Sequence, residues 1–339
     1  MGKIPLSYLL RRLGIFFLTI WFAATIIFII PRLAPGDPIS AMVGAMSQAG
    51  GDVENSQQII DGWRARFGLD QPLPVQYVRY LGNLLTLDFG YSIDAFPTTV
   101  GAIIARALPW TMSLLVFAMV LTFVIGNFLG AILMWRKTPQ LLKLFIPITM
   151  VFTSIPSILA ALFLLYIFAY TIGWFPDANA YAVGEVRPGL NLEFIGSVIK
   201  HGTLPALSII LVSFGYWTLG MRGMMITVEG EDYMQLARAK GLNPFYVLYR
   251  YMIRNAILPQ ITAFAITLGT LVSGQVLVEY VFQYPGMGRV IYEAILRRDF
   301  PVIQGASFFL IVMTALAVLF VDLLYPYIDP RISAGGDEK

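Results

Sequence analysis

Cysteine is absent from the 339 residues, and histidine occurs once. The first absence excludes disulfide frameworks, thiolate nucleophiles and cysteine-based metal sites. The second leaves His201 with no Asp, Glu or Cys at ligand spacing, so it is read as structural. Charge is scarce too: Asp, Glu, Lys and Arg make up 13% of the chain, and the net charge is +3. The basic residues are scattered between apolar runs, which argues against a nucleic-acid surface. No G-x-x-x-x-G-K-[ST] sequence occurs, so the chain is not expected to hydrolyse ATP itself. Gly286-Met287-Gly288 lacks the third glycine and the preceding strand of a dinucleotide fingerprint. No Ser/His/Asp set, metal cluster or convincing intramembrane carboxylate pair appears in the sequence.

What the chain has instead is apolar length. Hydrophobic residues make up 58% and aromatics 14%. The class is an all-α polytopic membrane protein, read as one transmembrane domain over 1–339. Six spans are expected, at about 13–30, 109–135, 144–172, 204–221, 259–282 and 302–325. Ser154-Ile155-Pro156-Ser157 interrupts the third, a break that neighbours or a cavity must satisfy. Gly126 and Gly130 give the second a small-residue face for close helix approach. Asn127 between them needs a partner or water. More than half of the 23 basic residues fall in short segments on one side, which places both termini there and makes that side cytoplasmic.

Two interruptions are long. Residues 33–106 are rich in Gly and Pro and form an external loop, with a short amphipathic helix expected over 75–87. Residues 222–258 form a cytoplasmic loop that reads as helix, break, helix. Glu229, Glu231 and Asp232 crowd the first helix start, and Arg238 and Lys240 its end, the order that complements the dipole. Gly241 ends it, Asn243 caps the next, and Pro244 opens that helix. An apolar stripe follows at Phe245, Leu248, Tyr249, Met252 and Ala256.

The second loop carries a resemblance. Tyr233, then Ala237, Arg238, Ala239, Lys240, Gly241 and Leu242, then Asn255 and Pro259, are similar to the cytoplasmic coupling loop of ABC importer permeases. The match is closest to the dipeptide/oligopeptide permease family. The general loop opens Glu-Ala-Ala with a Gly four residues on; here Gln235, Leu236, Ala237 and Gly241 stand there, so only the last two match. The resemblance extends to Ala34-Pro35-Gly36-Asp37-Pro38, Phe67-Gly68-Leu69-Asp70-Gln71-Pro72, Asp88-Phe89-Gly90-Tyr91-Ser92, Pro285-Gly286-Met287-Gly288-Arg289, Arg298-Asp299-Phe300-Pro301 and the tail Tyr327-Ile328-Asp329-Pro330-Arg331.

It implies a non-enzymatic permease subunit of an ATP-driven importer, forming half of a path for peptides. The implied partners are a second homologous permease, two ATP-binding subunits holding ATP and Mg, and an extracytoplasmic solute-binding protein. The implied location is a bacterial or archaeal plasma membrane. Oligosaccharide and nickel importers belong to the same family, and Leu219 stands where peptide members carry an arginine. An ion-coupled secondary transporter is the rival class; inverted repeats and midplane ionisable groups, its signatures, are not seen in the sequence. Tyr216, Trp217, Gln275 and Glu279 are the candidate path or gate residues. Glu279 reads either as such a group or as half of an ion pair with an outer arginine such as Arg289, and the long motif around it favours a structural role.

Overall fold

The computed structural model describes residues 6–33, 61–62, 70–135, 138–270 and 275–328. The motif pieces at 34–38, 67–69 and 329–331 lie outside them. Among the described residues every regular element is a helix, and the one extended pairing is an isolated bridge between Tyr91 and Thr99.

Helix α1 (Leu6–Leu33) is apolar along its length. Its last turns meet α2 (Leu73–Leu85), which has Pro74 in its first turn, where a missing N–H leaves nothing unpaired. The Thr25 and Tyr77 hydroxyls lie 2.7 Å apart, and Arg32 donates to Gln76 Oε1 at 2.8 Å. Helix α3 (Val100–Met134) starts at Thr99, whose hydroxyl accepts from the Ala102 amide, and absorbs Pro109 in its interior. The expected start at 109 thus lies inside the helix, which begins nine residues earlier.

After the short α4 (Gln140–Lys143) come α5 (Phe145–Ser154) and α6 (Ser157–Leu164), the latter running on as a π turn over Leu165–Thr171. The two halves of this pair are bent by 101°. Pro156 causes the break: it forces Ile155 out of helical geometry, to φ −85° and ψ 125°.

Helix α7 (Leu192–Glu229) is capped by Asn191, whose side chain accepts from the Phe194 amide. It takes in His201 at one end and Arg222 at the other, both expected in loops. Polarity ends an apolar run without ending the helix, which runs on through Pro205. Then follow α8 (Asp232–Ala239), α9 (Pro244–Tyr246), a π turn over Val247–Ile253, and α10 (Arg254–Thr270). The chain closes with α11 (Val276–Val281), α12 (Met287–Arg297) and α13 (Phe300–Ile328).

Among the described residues four stretches are long and apolar enough to cross a membrane: Leu6–Ile30, Val100–Met134, Leu192–Glu229 and Phe300–Leu323. The bent α5–α6 pair makes a fifth if it counts as one span. The fifth span expected from sequence is divided between α10 and α11, on either side of residues outside the description.

Helices α3 and α7 form the most extensive pair. Glycine permits it. A Cβ on Gly126 would stand 2.5 Å from Trp217 Cβ, and one on Gly130 would stand 2.5 Å from the Thr218 carbonyl oxygen. Helices α1 and α13 pack together at the periphery, joined by an Arg12–Asp322 ion pair of 2.9 Å. The bundle thus has an α2 side, with α12, and an α8 side, with α9.

Candidate functional site

On the α8 side the chain makes a rigid corner. The Gly241 amide donates to the Arg238 carbonyl at 2.9 Å, and the Leu242 amide to the Ala237 carbonyl at 3.4 Å. With Gly241 at φ +68° this is a Schellman ending. The Asn243 carboxamide then accepts from the Phe245 amide at 2.9 Å and Pro244 starts α9. Glu229 does not sit at the start of α8; it closes α7 and pairs with Arg238 at 2.6 Å.

The inner face of this corner rests on methionine. Met221, Met225, Met234, Met252, Ala131, Ala237, Val247 and Ala256 form one buried cluster. Thioether chains fill irregular gaps between helices that cross at a bend. The stripe read from sequence is displaced: Met252 and Ala256 are buried, but Phe245 and Tyr249 are exposed and Val247 is buried instead. The π turn is the reason. Its wider turns bring Val247 and Met252, five apart, onto one face.

Outward, the corner shows Tyr233, Leu236, Phe245, Tyr246 and Tyr249, with Arg238, Ala239, Lys240, Arg250 and Arg254 also exposed. Slight burial, and then the Glu231 carboxylate, push the Tyr233 phenol up. Leu242 is half-buried. The exposed Asn255 donates to the Tyr251 carbonyl at 2.6 Å, and Pro259 lies inside α10. The face is therefore aromatic and basic, on a fixed backbone joined directly to α7 and α10.

The opposite end is polar and closed. The Glu279 side chain is fully buried. Thr111 Oγ1 donates to Glu279 Oε1 at 2.7 Å and accepts from the Met287 amide at 2.7 Å. The Gly288 amide donates to Glu279 Oε2 at 2.7 Å. A Cβ on Gly286 would fall on that carboxylate, and 2.5 Å from Thr111 Oγ1. The expected ion pair with Arg289 is absent among the described residues: Arg289 bonds Glu293 at 2.6 Å and the Gln283 carbonyl at 2.6 Å. Backbone and hydroxyl donors reach the buried carboxylate where a long guanidinium stays at the surface. At the other end of α12, Asp299 accepts from the Ser92 hydroxyl and from the Ile93 and Asp94 amides, pinning the segment before α3 to the start of α13.

The other candidates separate. Trp217 is buried against Phe123 and Phe264, with ring centroids at 5.1 and 5.9 Å. Tyr216 is 61% exposed. Gln275 is half-buried and accepts from Ser157 Oγ at 2.8 Å. Asn127 donates to the Phe123 carbonyl at 2.8 Å, and its Oδ1 has no partner among the described residues. Thr111 carried no signal in the sequence. Ser157 stood in plain view at the break, but nothing local said what it would meet.

Comparison with known proteins places this geometry. The profile of the family described as binding-protein-dependent transport system inner membrane component matches residues 126–334. A protein of Brucella suis biovar 1, named as a peptide permease, is 35% identical over 96% of this chain and 99% of its own length. The oligopeptide transport system permease protein AppB of Bacillus subtilis is 33% identical, and the dipeptide transport system permease protein DppB of Alkalihalophilus pseudofirmus is 32% identical. Each match covers 96% of this chain and 99% of the relative. A multi-pass helical bundle, matched over nearly its full length, leaves one conclusion: the chain belongs to the family of binding-protein-dependent transport system inner membrane components.

Proposed function

We propose that this chain is the permease subunit through which peptides cross the membrane in an ATP-driven importer, with the α8 side in the cytoplasm. The relatives' names carry the peptide. The single observation that carries the mechanism is the α8–Gly241–α9 corner, with its aromatic and basic outer face. ATP and Mg would be bound by two separate subunits docked on that face. A second homologous permease would complete the path, and a solute-binding protein would deliver peptide on the α2 side. Basic residues on the α8 side agree with that orientation. Tyr233, Ala237, Arg238, Ala239, Lys240, Gly241, Leu242, Asn255 and Pro259 belong to the docking element. Arg238 is held by Glu229, and the methionine floor passes the load to α7.

The test is Gly241→Val. A Cβ at Gly241 meets nothing within 4 Å, so the substitution acts on the backbone alone. A left-handed β-branched residue costs about 1–2 kcal/mol and straightens the corner. The helices remain inserted, while the co-purifying ATP-binding subunit, peptide-stimulated ATP turnover and peptide uptake fall together. Gly241→Asn, which tolerates positive φ, retains most of all three. Full retention of the ATP-binding subunit with normal uptake in Gly241→Val rules out the docking assignment.

A further inference from the structure

The bent α5–α6 pair and the start of α11 meet at one hydrogen bond. Ser157 opens α6, at the midpoint of the bent pair, where the halves Gln140–Ser154 and Ser157–Thr171 are of equal length. Gln275 immediately precedes α11. Ser157 Oγ donates to Gln275 Oε1 at 2.8 Å, and both side chains are half-buried.

The surroundings hold this pair from both sides. Ala161, Leu164 and Leu165 of the α6 pair share one buried cluster with Val278 and Phe282 from the α11 segment. One turn beyond Gln275, Glu279 is locked to Thr111 and Gly288. Before the break, α5 lies close on α7, where a Cβ on Gly215 would stand 2.5 Å from Thr153 Cγ2. The Gln275 backbone is therefore fixed, and its carboxamide is fixed as well. Because the serine proton goes to Oε1, the two Nε2 protons point away from Ser157. Nε2 has no partner among the described residues.

A half-buried carboxamide with idle donors within a span is costly against lipid. Against an aqueous path it costs little. We propose that Gln275 is a solute-binding residue of the translocation path, presenting its Nε2 donors to carbonyl oxygens of the passing solute, with Ser157 as the positioning residue. The solute class that fits is a chain of amides, because each residue of an extended peptide offers a carbonyl acceptor. That class rests on the peptide reading above; the placement of Gln275 in the path does not.

The chain has no cysteine, so Gln275→Cys introduces its single thiol. In the assembled importer, that thiol reacts with a charged, water-soluble methanethiosulfonate, with the unsubstituted importer as the background. A thiol labelled by lipid-soluble N-ethylmaleimide but refractory to the charged reagent overturns the proposal. The second measurement is tri-alanine taken up per ATP hydrolysed in proteoliposomes. Gln275→Leu lowers this ratio about fivefold, the worth of one lost hydrogen bond, with complex yield maintained. Ser157→Ala lowers it less, and Ser157→Thr, which keeps the hydroxyl, restores it. An unchanged ratio in Gln275→Leu also overturns the assignment, and a fall in yield and turnover in parallel reduces the pair to a structural stitch. If the unsubstituted importer takes up no tri-alanine, the peptide reading fails, and thiol reactivity alone decides the site.

Discussion

The two ends of the bundle are held by different physics. On the α2 side, Glu279, Thr111, Gly286 and Gly288 interlock through directed hydrogen bonds at 2.7 Å, with no room for a Cβ. On the α8 side, Met221, Met225, Met234 and Met252 fill space between helices without a directed bond. Buried hydrogen bonds have one geometry, whereas thioether packing has many of nearly equal energy. The first end suits a fixed reference frame. The second suits a joint that must accept load from a docked partner and shift under it.

This contrast ranks the effects of substitution. Gly286→Ala should be the most damaging, since the methyl group displaces the Glu279 carboxylate and Thr111 together. A loss of about 3 kcal/mol is expected, read as a fall in assembled complex and in its melting temperature in detergent. Next comes Glu279→Gln. Size is kept, but the carboxamide has one acceptor oxygen where the carboxylate has two, so either Thr111 or Gly288 loses its acceptor and about 2 kcal/mol is lost with solute selectivity unaltered. A shift in selectivity at full assembly would move Glu279 from frame to path.

Met225→Leu, at the soft end, should cost about 1 kcal/mol or less by the same melting measurement. A loss as large as that of Gly286→Ala would erase the contrast between the ends. Arg238→Ala removes an ion pair whose arginine is 38% exposed. It should change stability by about 0.5 kcal/mol, weakening further in high salt.

Which parts were legible in the sequence follows the range of the causes. Gly241, Asn243 and Pro244 act within a few residues, and their turn is the one expected. Pro156 broke its span for the same reason. Gly126 and Gly130 were readable as a packing face because four-residue spacing survives in any α-helix. The stripe from Phe245 failed because the π turn changes the spacing, and nothing local in Val247–Ile253 announces it. Thr111 was invisible: its partner Glu279 is 168 residues away. Helix ends were misplaced where polarity begins before the helix stops, at His201 and Arg222.

Helix α7 has a further consequence. At about 1.5 Å per residue its 38 residues extend about 57 Å. A hydrocarbon core is about 30 Å thick, and a tilt of up to about 40° cannot hide the difference. The rod must therefore protrude. One handle carries Ser197, whose hydroxyl accepts from the Ala182 amide in the loop on the α2 side. The other carries Met225, in the floor beneath α8. A displacement applied at one handle arrives at the other with its length unchanged, less whatever Pro205 absorbs as the single proline joint inside the rod. The distance between the two faces of the protein is thus ruled by one helix.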